Sequence, residues 1–123
     1  MKHYLITSIG ENKGAPRVWL QGSNLNHVGF KPGTRFDIKL DDARLVLTRT
    51  DQGIRVVSRK RRGECEYPVI DINSRELLEM FEGMSAVRVV MLEEEIHILP
   101  LASELRRQER VERTAARMGQ GDP

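Results

Sequence analysis

The sequence predicts a mainly β domain with short helices, an α+β chain in which two copies of one strand–helix–hairpin unit close into a shared barrel-like sheet, followed by a C-terminal helix. Three observations predict it. Apolar and polar residues alternate over short runs, as where Phe36, Ile38 and Leu40 interleave with Arg35, Asp37 and Lys39, and a period of two marks a strand with one buried face. Residues 16–47 and 68–99 repeat one order of elements. The chain has 123 residues, enough for one modest core, and neither copy is long enough to bury a core alone.

The elements follow in order. Residues 3–9 (HYLITSI) read as a strand, and IGENKGAP after it as a polar loop. Pro16 leads into a short strand with Val18 and Leu20 on one side. Ser23 is placed to cap a short amphipathic helix carrying Leu25 and Val28. A glycine-containing loop leads to the hairpin of Phe36, Ile38 and Leu40, which turns at Asp41-Asp42-Ala43 so that Leu45 and Leu47 return to the same side. DQG, residues 51–53, is a turn signal expected to fold a linker strand back against the one before it, with the next reversal at RKRRG. The second copy repeats the plan: Pro68, then Ile70 and Ile72, a cap at Asn73 or Ser74, a helix with Leu77, Leu78 and Phe81, and a hairpin of Val87, Val89 and Met91 answered by Ile96 and Ile98. One residue of slippage in the loop brings the hairpins into register. Chance likeness between two alternating segments is the competing explanation, opposed by the shared order of five elements.

These readings divide the chain into a single domain over residues 1–100, with repeats at about 16–50 and 68–99 and a basic linker hairpin at 51–67. Residues 101–118, rich in helix formers, are expected to make the C-terminal helix, and 119–123 a flexible tail. Val90 and Leu92 face away from Val89 and Met91, so the second hairpin is apolar on both sides and needs a cover: the terminal helix, a second chain or a further domain.

Charge is the strongest functional signal. Residues 1–62 carry thirteen Lys or Arg against five Asp or Glu, a net of +8, whereas residues 63–99 carry two against nine, a net of −7. The formal net charge of +2 hides this dipole, which points to a charged partner for one side. Aromatic residues make up 5% of the chain, too few for base stacking to dominate binding. No apolar run approaches the ~20 residues of a membrane span and no leader is recognised, so a cytoplasmic protein with no membrane association is expected. The lone Cys65 fits a reducing compartment.

The first copy resembles the AbrB/SpoVT swapped-hairpin family, including its SymE-like branch, at Arg17-Val18, Val28-Gly29-Phe30, Pro32-Gly33-Thr34, Phe36-Asp37-Ile38 and Leu45-Val46-Leu47. The resemblance covers about a quarter of the chain. It implies two units with interleaved hairpins, here supplied by one chain as a duplicated AbrB-like barrel, and basic loops presented to DNA. A longer resemblance, through ITSIGENKGAPRVWLQG, RVVSRK, PVIDINS, FEG, VRVV and LPLASE, is to the N-terminal region of DNA cytosine methyltransferases carried by phages and other mobile elements. That implies a DNA-associated module. The Pro-Cys nucleophile pair and the glycine motif for the cofactor are not in this sequence, so no methyl transfer is expected of it.

The candidate nucleic-acid-binding residues are Lys13, Arg17, Lys31, Arg35, Arg59, Lys60, Arg61 and Arg62. The last four are expected at a hairpin tip, where their mutual repulsion favours an anion such as the phosphate backbone, with a salt-dependent affinity. Lys13 and Arg17 match the loop and strand start that resemble the family's DNA-contacting edge, while Asn26 and His27 stand where many relatives carry arginine. The bland alternative is a solvated basic turn. His3, His27 and His97 lack metal-ligand spacing and read as structural, and Cys65 between Glu64 and Glu66 is poorly set for a nucleophile. IGENKGAP lacks the Gly-Lys-Ser/Thr ending of a phosphate loop. No catalytic site, metal or cofactor is therefore expected.

Three functional readings result. The first is a DNA-binding module or small regulator that holds duplex DNA on the basic face of the N-terminal half. The second is a mobile-element interaction factor whose acidic half, or C-terminal helix, engages a protein. The third is a SymE-like toxin acting on RNA. A homodimer is left open.

Overall fold

The computed structural model describes residues 2–101; the expected C-terminal helix and tail, beyond Leu101, lie outside the described residues. The chain is mainly β. It runs β1 (His3–Ser8), β2 (Gly10–Asn12), β3 (Ala15–Gln21), α1 (Ser23–His27), β4 (Arg35–Asp41) and β5 (Arg44–Arg49), then β6 (Arg55–Val56), β7 (Ser58–Arg62), β8 (Cys65–Ile72), α2 (Arg75–Leu78), a 3-10 turn (Glu79–Phe81), β9 (Ala86–Leu92) and β10 (Glu95–Pro100). Three strands, a short helix and a hairpin thus occur twice in the same order.

The strands form two antiparallel sheets. The larger has six strands in the order β1-β9-β10-β5-β4-β6, the smaller four in the order β2-β3-β8-β7. In the smaller sheet the third strands of the two runs pair, Val18 opposite Ile72 and Leu20 opposite Ile70. In the larger sheet the last strands pair, Leu45 opposite Ile98 and Leu47 opposite Ile96. Those eight residues are buried and belong to one core with Leu25, Val28, Phe30, Phe36, Leu78, Phe81, Val87, Val89 and Met91. Phe30 and Phe36 meet edge to face with ring centroids 5.9 Å apart, a favoured arrangement of ring quadrupoles. The alternation read in the hairpins is borne out by this burial, except that Leu40 at the end of β4 is 53% exposed.

Four local expectations change. IGENKGAP is not a loop: β2 and β3 form a hairpin with Gly10 opposite Arg17. Its turn places Lys13 at φ 54° and Gly14 at φ 81°, the left-handed pair that suits a two-residue hairpin. The linker strand does not fold back on β5. β5 already has β10 and β4 on its two sides, so DQG carries the chain across to the open side of β4, where Arg35 faces Val56 and Phe36 faces Arg55. Gly53 makes this crossing possible, because a Cβ there would lie 2.5 Å from the Phe36 backbone nitrogen. Arg59, Lys60, Arg61 and Arg62 are not at a tip: they form β7, and the reversal falls at Gly63 and Glu64. Finally, Ser23 is the first residue of α1 rather than its cap, which is Gly22 with no side-chain bond, whereas Ser74 caps α2 as expected by accepting the Leu77 amide at 3.3 Å.

The hairpin tip of β9 and β10 locks against the first run. The Glu94 amide donates to the Val28 carbonyl at 2.7 Å, the Arg49 amide donates to the Glu94 carbonyl at 3.0 Å, and the Arg49 guanidinium donates to the Glu94 carboxylate at 2.8 Å. Backbone bonds of this kind fix register between the halves.

Candidate nucleic-acid interface

Strand pairing decides which cations share a face, because residues opposite one another in a ladder point the same way. In the smaller sheet, Ser58 faces Val69, Lys60 faces Tyr67 and Arg62 faces Cys65, while Gln21 faces Val69 and Trp19 faces Asp71. The sheet's outer face therefore carries Lys60 and Arg62 from β7, Tyr67, Asp71 and the buried Val69 from β8, and Arg17, Trp19 and Gln21 from β3. The opposite face carries Val18, Leu20, Ile70 and Ile72 into the core and, beyond its end, Arg59 and Arg61 beside Glu66.

The cationic run is thus divided by the pleat. Arg59 Nε lies 3.1 Å and Arg61 Nη2 3.0 Å from the two oxygens of Glu66, so one carboxylate is shared by two guanidinium groups. All of β7 is exposed, and pairs so open to water add little stability. Lys60 and Arg62, on the outer face, make no ion pair among the described residues.

Arg17 is held differently. Its Nε and Nη2 donate to the two oxygens of Asp71 at 2.7 and 2.8 Å, a planar two-point match between guanidinium and carboxylate. The guanidinium also lies 4.5 Å from the centre of the Trp19 ring, within range of a cation–π attraction. The Asp71 hydrogen bond is the first cause that raises the Arg17 pKa above its ordinary value, against a smaller lowering by desolvation. Trp19 is tied in turn, its Nε1 donating to Gln21 Oε1 at 2.8 Å. Asp71 comes from the acidic half, so the boundary of charge in the sequence is crossed at this point in space.

The remaining candidates lie elsewhere. Lys13 stands at the β2–β3 turn, at the end of the smaller sheet opposite to the β7–β8 turn. Lys31 follows α1 in a groove with His27, Thr34, Arg49 and Glu94. Arg35 lies on the larger sheet and donates to the Gly53 carbonyl at 3.1 Å, which steadies the linker crossing. Of the eight candidates, the structure brings Arg17, Lys60 and Arg62 onto one face, Arg59 and Arg61 onto its reverse, and Lys13, Lys31 and Arg35 onto neither. Sequence reasoning missed Trp19, Gln21 and Tyr67; a strand reading carried from Val18 back across the pleat places Trp19 outward, but only the β3–β8 register sets it beside Asp71.

Two further features bear on chemistry. His3 and His27, which lack metal-ligand spacing in the sequence, stack with ring centroids 5.6 Å apart, yet no group of three His, Cys, Asp or Glu side chains suited to a metal ion occurs among the described residues. A cavity of about 600 Å³ opens between the β2–β3 turn and the segment after α2, floored by Ile9, Pro16, Phe81 and Met84 and walled by Glu76, Glu79 and Glu82 with Arg75. Among the described residues no helix is long and apolar enough to cross a membrane. Comparison of the chain with protein-family models, curated proteins and solved structures finds no match.

Proposed function

We propose that the chain is a DNA-binding module, or a small regulator, that lays the outer face of its smaller sheet against the phosphate backbone of duplex DNA. The observation that carries this reading is the placement of the exposed Lys60 and Arg62 on one face with Arg17, with no carboxylate paired to either among the described residues. Neutralising such cations on phosphate releases condensed counterions, which gives affinity without base readout and a steep dependence on salt. Gln21 and the Arg17–Trp19 pair add polar and planar groups to the same face.

The architecture is read as a duplicated, interleaved AbrB-like hairpin fold completed within one chain. Support comes from the doubled element order and from the pairing of like with like, β3 with β8 and β5 with β10. On this reading the duplicated unit begins upstream of residue 16, since β1 and β2 correspond to β6 and β7, and the cationic strand belongs to the second unit. The relation to the N-terminal region of mobile-element cytosine methyltransferases makes DNA the natural partner and the cytoplasm the natural compartment, and assigns no chemistry to this chain.

Fluorescence anisotropy of a labelled DNA duplex across a salt series tests the function. Each backbone contact adds about 0.9 to the slope of log affinity against log salt, so replacing Lys60 and Arg62 together by Ala is expected to lower the slope by about 2. Replacing Arg59 and Arg61, which already share Glu66, lowers it less. Duplex binding that is absent, or equal in slope for all variants, overturns the proposal; RNA cleavage would instead favour the toxin.

A second reading has one specific observation in its favour. The acid-walled cavity with an apolar floor suits a basic, partly apolar segment of a protein partner, as the interaction-factor reading requires. Replacing Glu76, Glu79 and Glu82 by Gln separates the two, because it leaves the salt slope on DNA intact and removes a protein contact held there.

A further inference from the structure

Among the described residues the two sheets have four edges, and three are guarded. β2 has three residues and β6 two, too short to template another strand. β7 is longer but consists of Ser58 and four cations. Charge and brevity are the ordinary means by which sheet edges avoid pairing with other chains. β1 has neither: its six residues, HYLITS, hold no Lys, Arg, Asp, Glu, Pro or Gly.

The hydrogen-bond pattern shows which groups this edge offers. The turn at Glu93 and Glu94 makes Leu92 and Glu95 the closing pair of the β9–β10 hairpin, so Val90 bonds toward β10, and Val87, Val89 and Met91 bond toward β1. The Ile9 amide donating to the Ser85 carbonyl at 2.9 Å fits the same alternation. Thr7, Leu5 and His3 therefore turn their backbone groups to β9, and Tyr4, Ile6 and Ser8 turn theirs outward. Their side chains are the exposed ones of the strand, with Tyr4 at 48% and Ile6 at 55%. Beside them on the outer face, Val90 opposite Tyr4 and Arg88 opposite Ile6 are half-buried, the Arg88 guanidinium being engaged with the Pro100 carbonyl at 3.0 Å.

We propose that β1 is a self-association edge, pairing antiparallel with β1 of a second copy about a twofold axis through Ile6. In that register Ile6 faces Ile6 of the second copy and Tyr4 faces Ser8, so each outward amide meets an outward carbonyl. The occupant is a second copy because the edge is self-complementary in pattern and in charge: an uncharged strand meets itself without repulsion, whereas each of the other described edges of the same molecule is too short or too cationic to fill the place. A twofold contact closes on itself and stops at two copies. The paired edge is at the small end of interface size, so a dissociation constant on the order of 10 µM is expected. This inference stands apart from the nucleic-acid reading, which concerns the other sheet.

Sedimentation velocity of the full chain from about 1 µM to about 500 µM is the test. Wild type should pass from monomer to dimer. Ile6→Lys sets two cations opposed on the axis and should weaken the dimer at least tenfold, as should Ile6→Glu by itself. An equimolar mixture of the two variants should regain it, since the axis then holds opposite charges; Ile6 is exposed, and a circular dichroism melt confirms that each variant is folded. Amide exchange at Tyr4, Ile6 and Ser8 should slow with concentration in wild type alone. A chain that stays monomeric at the highest concentration, or a dimer indifferent to Ile6→Lys, overturns the proposal.

Discussion

β1 and β6 open the two runs of the chain and close the two ends of the larger sheet, yet one is six uncharged residues and the other is only two, Arg55 and Val56, shortly after Gly53. The strands that follow them differ as much: β2 has three residues, and β7 has five with four cations. By contrast β3 and β8 pair with each other, as do β5 and β10, and the two hairpins match strand for strand in length, although β4 is buried only at Phe36 where β9 is buried at Val87, Val89 and Met91. The difference teaches where the fold is constrained. A strand that contributes to the common core must keep its apolar alternation, because losing it exposes the core or leaves a cavity. An edge strand contributes a ladder and little core, so its length and charge are free to serve other ends.

The comparison is broken or sharpened by substitutions in matched places. The largest effects are expected in the core. Phe30 and Phe81, fully buried in the first and second runs, should each cost about 3–5 kcal/mol when replaced by Ala. Urea denaturation should show a single transition for both variants, as one shared core requires; two transitions would mean that the halves fold separately.

Next come the two glycines that lead into edge strands. Gly53→Ala drives a methyl group into the backbone of Phe36 and is expected to cost about 3 kcal/mol, the upper part of the usual range for overpacking. Gly10→Ala meets only the Arg17 carbonyl at 3.7 Å and should stay within about 0.5 kcal/mol of wild type. Equal melting shifts for the pair would show that the linker crossing is not confined in the way its geometry implies.

The helix starts give a smaller contrast. Ser74→Ala removes the bond from the Leu77 amide and should cost about 1 kcal/mol, whereas Ser23→Ala removes no cap and should change stability by less than about 0.5 kcal/mol. Smallest is the stability effect of Lys60→Ala with Arg62→Ala, expected within about 0.5 kcal/mol, although the same double variant has the largest expected effect on the salt slope for DNA. A marked loss of stability there would turn the cationic strand into a structural element.

Much of the scaffold was legible because burial imposes periodicity. Val18, Leu20, Phe36, Leu45, Leu47, Val87, Val89, Met91, Ile96 and Ile98 could each be assigned to the core from alternation alone, and the structure buries all of them. What escaped was pairing across distance. DQG reads as a hairpin turn in any local window, and only the occupation of both sides of β5 sends the chain to β4 instead. The candidate site shows the same limit. Four successive cations read as a cluster, but in a strand successive side chains point to opposite faces, so the cluster becomes two pairs with different company. The reversal read at RKRRG falls at its last residue, Gly63, whose φ of 64° suits it, and the four cations before it extend the strand.

By itself, the sequence determined a mainly β chain, its apolar positions, the order of its elements and the opposed charges of its parts, since composition and period are local quantities that any folded form of the chain must satisfy. Tertiary structure alone decided that Asp71 would claim Arg17, that Glu66 would stand between Arg59 and Arg61, and, among the described residues, that Lys60 and Arg62 would share a face without an ion pair and that β1 would lie at an edge of its sheet. The reason is register: antiparallel pairing between strands some fifty residues apart sets which side chains share a face, and no local pattern in either strand carries that information.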